Sequence, residues 1–193
     1  MSTLAAALDQ SQRGRATTRV MTGDSSNPPG DLTAALLDAI ALFRELKIRY
    51  ALVGGLAAML YGRARYTEDV DFVAEPDHEE VLASNPDAMK RHGFDPECTW
   101  KLYHKSGIEI DLWKDKHAAD TVDRARRKKI AGRFAKVAEV HDLIAMKLRA
   151  GRPQDDYDIT EILKSKPIDP TRLATLITKT QLRHFQRLTK RVN

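Results

Sequence analysis

The sequence predicts a mixed α+β domain closed by a helical C-terminal part, on three observations. Asp69-Val70-Asp71-Phe72 and Ile108-Glu109-Ile110-Asp111-Leu112 alternate acidic and apolar residues at the period of a strand. A third apolar stretch, Tyr50-Ala51-Leu52-Val53, runs into the double glycine Gly54-Gly55. From Glu139 onward, apolar residues recur at helical spacing instead. Strands and helices interleaved, followed by helices alone, read as a small mixed sheet flanked by helices with a helical region appended.

Taken in order, residues 1–30 carry Arg13, Arg15 and Arg19 among Ser, Thr, Gly and Pro and read as a flexible N-terminal tail ending at Asn27-Pro28-Pro29-Gly30. Asp31 is a helix N-cap, and Leu32, Leu36, Ile40 and Phe43 form the apolar stripe of a helix to about Leu46. Tyr50–Val53 is a strand, Gly54-Gly55 a turn and Leu56–Tyr61 a short helix. Glu68–Ala74 is a strand, and Pro76–Arg91 is mostly helical and ends at Gly93. Trp100–His104 and Ile108–Trp113 are strands joined at Lys105-Ser106-Gly107, with Trp100 and Trp113 expected to pack the sheet, and a further short strand falls at Phe134–Val137. Helices follow at about 140–150, 156–164 and 170–190. The core therefore spans residues 31–138, and residues 139–193 form the helical region that completes the active site.

Composition narrows the function classes. Of 193 residues, 42% are hydrophobic and 31% charged, a globular balance. Cys98 is the one cysteine, so no internal disulfide can form, and a reducing compartment such as the cytoplasm is expected. The uncharged run Ala51–Gly62 is too short for a membrane span, which needs about 20 residues. The six histidines have no zinc-ligand spacing, and neither a Walker-type loop nor a nucleophile elbow is present.

The net charge of +5 is concentrated in two clusters. One holds Arg124, Arg126, Arg127, Lys128, Lys129, Arg133 and Lys136; the other holds Lys179, Arg183, Arg187, Lys190 and Arg191. Such clusters suit an anionic partner such as RNA, because neutralised phosphates release counterions. A solvated helix face is the alternative.

The chemistry gathers on the acids. On a strand, Asp69 and Asp71 point one way, and Val70 and Phe72 point into the core. Two such carboxylates repel unless a cation lies between them, and a pair of Mg²⁺ ions about 4 Å apart is the usual occupant in phosphoryl chemistry. Two solvated acids on an exposed strand satisfy a lone D-x-D equally well. The second acid strand changes that balance, since Glu109 or Asp111 can bring a third carboxylate to the same place. Gly54-Gly55 allows backbone N–H groups to approach a phosphate, and Arg63, Arg65 and Thr67 follow in a loop where the arginines can neutralise a triphosphate. Lys147 shares an apolar helical stripe with Val140, Leu143 and Ile144, where a buried ammonium needs an anion.

The combined pattern of Gly54-Gly55, then Asp69-Val70-Asp71, then a separate apolar-flanked Asp111 resembles the polymerase-β-like nucleotidyltransferase superfamily. Within it, the chain is most similar to small bacterial nucleotidyltransferases of the AbiEii type, which include toxins of toxin–antitoxin systems. Two stretches carry the resemblance: Val53–Ala58 through Gly62–Asp71, and Asp142–Leu148 through Ala150–Ile159. It implies transfer of a nucleoside monophosphate from an NTP to a hydroxyl, on an RNA 3′ end (tRNA foremost) or a protein side chain. It implies two Mg²⁺ ions, with Mn²⁺ able to substitute, held by Asp69, Asp71 and Asp111. Asp111 also helps deprotonate the attacking hydroxyl. Gly54, Gly55, Arg63, Arg65, Thr67 and Lys147 then bind the nucleotide, and Asp158 orients Lys147 or the acceptor. A cognate antitoxin is an implied partner. Gln154 departs from the family, which often has Lys there. The alternative is a non-catalytic nucleotide- or RNA-binding regulatory module on the same fold, against which the retention of all three acids argues.

Overall fold

The structure is a computed structural model and describes residues 31–62, 67 and 69–192. Helix α1 (Leu32–Glu45) starts at Asp31, whose carboxylate accepts from the Ala34 amide at 2.9 Å. Its stripe of Leu32, Leu36, Ile40 and Phe43 is buried, as the spacing predicts. Strand β1 (Tyr50–Leu52) leads directly into helix α2 (Gly54–Met59). The double glycine is thus the first turn of that helix rather than a turn ahead of it.

Strand β2 (Val70–Ala74) follows, then helices α3 (His78–Ala83) and α4 (Pro86–Arg91). The single helical stretch expected over 76–91 is split at Asn85-Pro86, because proline has no amide to continue the ladder and takes the first helical position instead. Strands β3 (Lys101–Tyr103) and β4 (Glu109–Trp113) form a hairpin.

Helix α5 (Ala118–Arg124) and strand β5 (Arg126–Ile130) are not anticipated from the sequence, whereas β6 (Arg133–Val137) is. The first basic cluster therefore lies mainly on a β-hairpin and not on a helix face. Arg-Arg-Lys-Lys has no apolar alternation to betray a strand; β5 exists because β6 supplies its ladder partners. Ala131 and Gly132 both have positive φ, 46° and 83°, which matches a two-residue turn between twisted strands.

Helices α6 (Val140–Ala150) and α7 (Pro153–Ser165) are close to expectation. The long helix expected over 170–190 divides into α8 (Pro170–Ala174) and α9 (Lys179–Val192). The division falls at Thr178 and Gln181, which cap each other: the Thr178 amide donates to Gln181 Oε1 at 2.9 Å and the Gln181 amide to Thr178 Oγ1 at 3.3 Å.

The six strands form one mixed sheet in the order β3-β4-β2-β1-β6-β5. β2 runs parallel to β4, and β1 parallel to β6; the other neighbours are antiparallel. Phe43, Tyr50 and Phe72 pack with ring centroids 5.2–5.3 Å apart, fixing α1 onto the sheet. One continuous apolar core runs from Leu32 to Leu188 and takes residues from the sheet region and from the C-terminal helices. This is a mixed α+β architecture, a six-stranded mixed sheet flanked by helices. Among the described residues no helix is long and apolar enough to cross a membrane.

Candidate active site

The parallel pairing of β2 and β4 places Asp71 directly opposite Asp111, with Val70 beside Ile110 and Phe72 beside Leu112. The apolar partners are buried and the two acids emerge together on the other face. Asp69 lies just before β2 and is exposed. Burial pushes the Asp71 carboxyl above the usual carboxylate range, and the charges of Asp69 and Asp111 push it the same way. The Trp113 indole N–H, at 2.9 Å from Asp71 Oδ1, and the Gly55 amide oppose that rise.

Gly54 is pressed against this carboxylate. Its φ is +63°, and a Cβ there would lie 1.8 Å from Asp71 Oδ2. Only glycine satisfies both the conformation and the approach. Trp113, expected to pack the sheet, is 48% exposed, and Trp100 is 59% exposed. The strand period explains Trp113: two residues beyond Asp111, it shares the acid face.

Of the two acids that the pattern left open on β4, Asp111 lines the cleft. Lys101 Nζ bridges them, 3.1 Å from Asp111 Oδ1 and 2.7 Å from Glu109 Oε2.

The acids lie in a cleft of about 370 Å³ between the sheet and the α6–α7 pair. Gly54, Gly55, Thr67, Asp69, Asp71 and Asp111 line one wall, and Leu143, Met146 and Lys147 contribute from α6. Of the loop predicted to bind nucleotide, Thr67 is buried in this wall, whereas Arg63 and Arg65 lie outside the described residues.

Lys147 is buried on the α6 stripe as its spacing implies. Its ammonium lies 2.6 Å from Asp158 Oδ2 and 3.3 Å from Asp155 Oδ1, and both acids are buried as well. Asp155 also accepts from Arg152 Nε at 2.8 Å and from the Arg152 amide at 3.1 Å. Burial alone raises the Asp155 carboxyl, but the Arg152 hydrogen bonds and the Lys147 charge outweigh it and hold the group below its ordinary value. The anion that Lys147 requires is thus supplied from within the fold. Nearby, Asp142 is buried and gripped by both arms of Arg124, at 2.7 and 3.0 Å, which ties α5 to α6.

Three cleft-lining cations escape the sequence reading: Lys114, Arg149 and Arg152. Arg149 donates to Asp115 Oδ2 at 2.8 Å and Lys114 reaches Glu79 at 3.0 Å. The charge of Asp71 is felt at Arg152 and raises its pKa, after the larger effect of the Asp155 hydrogen bond. Arg149 and Arg152 sit beside Lys147 and the helix-ending Gly151, so the signal in the sequence was their neighbourhood alone.

Among the described residues, no three His, Cys, Asp or Glu side chains converge into a complete metal cage. Mg²⁺ does not require one, since it is usually held by one or two carboxylates, waters and substrate phosphates. Two carboxylates side by side in register, with a third whose charge reaches Asp71, fit that requirement.

No model of a known family matches the sequence, and no curated protein matches it. Solved structures do. An antigenic nucleotidyltransferase-like protein from Paracoccidioides brasiliensis superimposes with a TM-score of 0.55 at 18% identity, covering 84% of this chain and 89% of that one. The lincosamide antibiotic adenylyltransferase LnuA, in its lincomycin-bound form, gives a TM-score of 0.45 at 16% identity, covering 66% and 94%. The antibiotic-resistance factor ANT(2'')-Ia gives 0.47 at 16% identity, covering 82% and 91%. At such identity the first likeness is one of fold: the chain has a nucleotidyltransferase-like fold.

Proposed function

We propose that the protein is a metal-dependent nucleotidyltransferase that moves a nucleoside monophosphate from an NTP to a hydroxyl acceptor. The observation that carries this reading is the register of Asp71 against Asp111 on adjacent parallel strands, with Gly54 held against Asp71 and a cationic wall across the cleft. Carboxylates gathered on adjacent strands, with Lys101 paired to Asp111 and Asp71 held by neutral donors, are suited to a polyphosphate that arrives with divalent metal.

In this reading Asp69, Asp71 and Asp111 hold Mg²⁺, for which Mn²⁺ can substitute. When bound, the metal polarises the α-phosphate and offsets the charge on the leaving pyrophosphate. Gly54, Gly55 and Thr67 border the phosphates, with Arg63 and Arg65 following from the resemblance. Arg149 and Arg152 supply positive charge from the α6–α7 side, and Lys114 from the end of β4. Asp111 accepts the proton from the attacking hydroxyl. The new bond forms between the acceptor oxygen and the α-phosphorus, the α-phosphorus bond to the bridging oxygen breaks, and pyrophosphate departs. Lys147 and Asp158 position α7 and the cation-bearing loop beside the cleft. The acceptor we favour is an RNA 3′ end, tRNA foremost, given the two basic clusters. The stretches that resemble AbiEii-type enzymes further suggest a toxin with a cognate antitoxin.

The test incubates the protein with Mg²⁺, each of the four α-labelled NTPs in turn, total RNA and cell extract, with Asp71→Asn in parallel. Label on a tRNA-sized band, absent with the variant, supports the full reading; label on a protein band moves the acceptor to a side chain. Absence of label with every NTP, together with absence of Mn²⁺-dependent nucleotide binding, overturns it in favour of a non-catalytic module.

A further inference from the structure

We infer that the groove between α1 and the β5–β6 hairpin is a docking site for single-stranded nucleic acid, with Phe134 as its base-stacking platform. The groove has a volume of about 400 Å³ and is lined by Arg44 of α1 and by Arg127, Arg133, Phe134 and Lys136 of the hairpin. No acidic side chain among the described residues lines it.

The hairpin register explains how these groups come together. Arg127 pairs with Lys136 and Lys129 with Phe134, so these four side chains share one face, whereas Arg133, paired with Ile130 beside the turn, is on the alternate face and borders the groove from there. All four are exposed, while Ile130, Ala135 and Val137 on the opposite face are buried in the core. The Arg127 guanidinium lies 3.9 Å from the centroid of the Phe134 ring. Phe134 is nevertheless 53% exposed. A ring with a cation over it and half its surface still in water can take a base by stacking, while the neighbouring cations follow the phosphates.

A common use of basic side chains on sheet edges is to prevent edge-to-edge pairing. That accounts for β5, which is the edge strand, but neither for Arg44, which lies on a helix, nor for Phe134, whose exposed ring adds no charge to an edge. An acidic peptide would satisfy the charges but has no planar group for the ring. A duplex hides its base faces within its own stack. A single strand presents both phosphates and free base faces.

The inference deepens the proposed reading by giving an RNA acceptor a place to bind, but its test needs neither metal nor NTP. Binding of a labelled, unstructured RNA of about 20 nucleotides is measured by fluorescence anisotropy in EDTA across a salt series, with the full chain. A matched duplex and a poly-glutamate peptide serve as competitors. Phe134→Ala is expected to weaken single-strand binding about tenfold with the salt slope unchanged. Arg127→Ala with Arg133→Ala is expected to reduce the slope by about 1.4, the share of two phosphate contacts on a single strand. The thermal midpoint of each variant checks that the hairpin remains folded. The inference is overturned if the wild-type chain binds no single strand, if Phe134→Ala leaves the affinity unchanged, or if duplex or poly-glutamate competes as well as the single strand. It is also overturned if Arg187→Ala with Arg191→Ala on α9 costs as much as the hairpin pair. A chain that binds RNA here yet transfers no nucleotide loses the proposed activity and keeps this site; the converse result does the reverse.

Discussion

On α6 and α7, Lys147 is buried against Asp155 and Asp158, each hydrogen-bonded and each shielded from water. On β2 and β4, a few residues away across the same cleft, Asp71 faces Asp111 with Asp69 close enough to raise its pKa further. Both groups include an ion pair, Lys147 with Asp155 and Asp158 in the first and Lys101 with Asp111 in the second, but Asp71 in the second is held by the neutral donors Trp113 and Gly55 and its pKa is raised. A balanced cluster gains little from a ligand and holds helices in register. A carboxyl raised by burial and by two neighbouring acids is stabilised in its charged form when a further cation arrives. Under the proposed function, the first group serves architecture and the second chemistry.

The strongest way to break this comparison is Asp71→Asn. It is expected to reduce nucleotide transfer on the order of 10³-fold, while the thermal midpoint stays level or rises because repulsion with Asp69 and Asp111 is relieved. A drop in midpoint as large as the drop in turnover means that the acids are structural too.

Lys147→Met is the mirror experiment. Leaving Asp155 and Asp158 buried without their ammonium is expected to cost about 3–5 kcal/mol, read by urea denaturation. Pairing it with Asp158→Asn should recover part of that loss. A variant that keeps full stability but loses nucleotide binding would transfer Lys147 to the chemical group.

Gly54→Ala probes the contact between backbone and acid. The added Cβ must displace Asp71, so transfer is expected to fall about 100-fold through misplacement of the carboxylate, and Mn²⁺ affinity measured by calorimetry should fall with it. Trp113→Phe keeps the ring and removes the N–H donated to Asp71 Oδ1. About a tenfold loss of transfer is expected, equivalent to roughly 1.4 kcal/mol and within the range for a hydrogen bond to a charged group, without change in the thermal midpoint.

The smallest effect separates the groups by pH. Asp155 has a lowered pKa in the fold, so the stability it contributes is fully present above its unfolded value of about 3.9 and is lost as pH falls through the folded value. Urea midpoints of the wild type should therefore fall on acidification below about pH 4, and the difference between wild type and Asp155→Asn should shrink over the same interval.

Much of the fold was legible because its elements have strong local signatures. The Asp31 cap, the α1 stripe and the alternation on β2 and β4 all survive in the structure. Elements defined by partners were not legible. Strand β5 is four cations and an isoleucine, and it is a strand only because β6 lies beside it. The division of the last helix depends on a cap whose two residues look unexceptional in sequence. In the cleft, Asp71 and Lys147 were visible through spacing, and Asp111 as one of two candidate acids on its strand. Trp113 follows from the strand period but was expected to pack the sheet, and Arg149 and Lys114 were not visible, because no spacing says which rim residues turn toward a cavity.

By itself, the sequence determined which residues alternate and which helices begin at caps; these are properties of neighbours along the chain, governed by periods of two and 3.6 residues. That the three acids and the double glycine belong to one pattern is what the resemblance implies. Tertiary structure alone decided that Asp111 rather than Glu109 enters the cleft, that Lys147 is neutralised by Asp155 and Asp158, and that the basic cluster forms a hairpin wall. The physical reason is range. Strand register and the pairing of buried charges are settled between segments far apart in sequence, where desolvation and sterics set the outcome and local pattern carries no information about them.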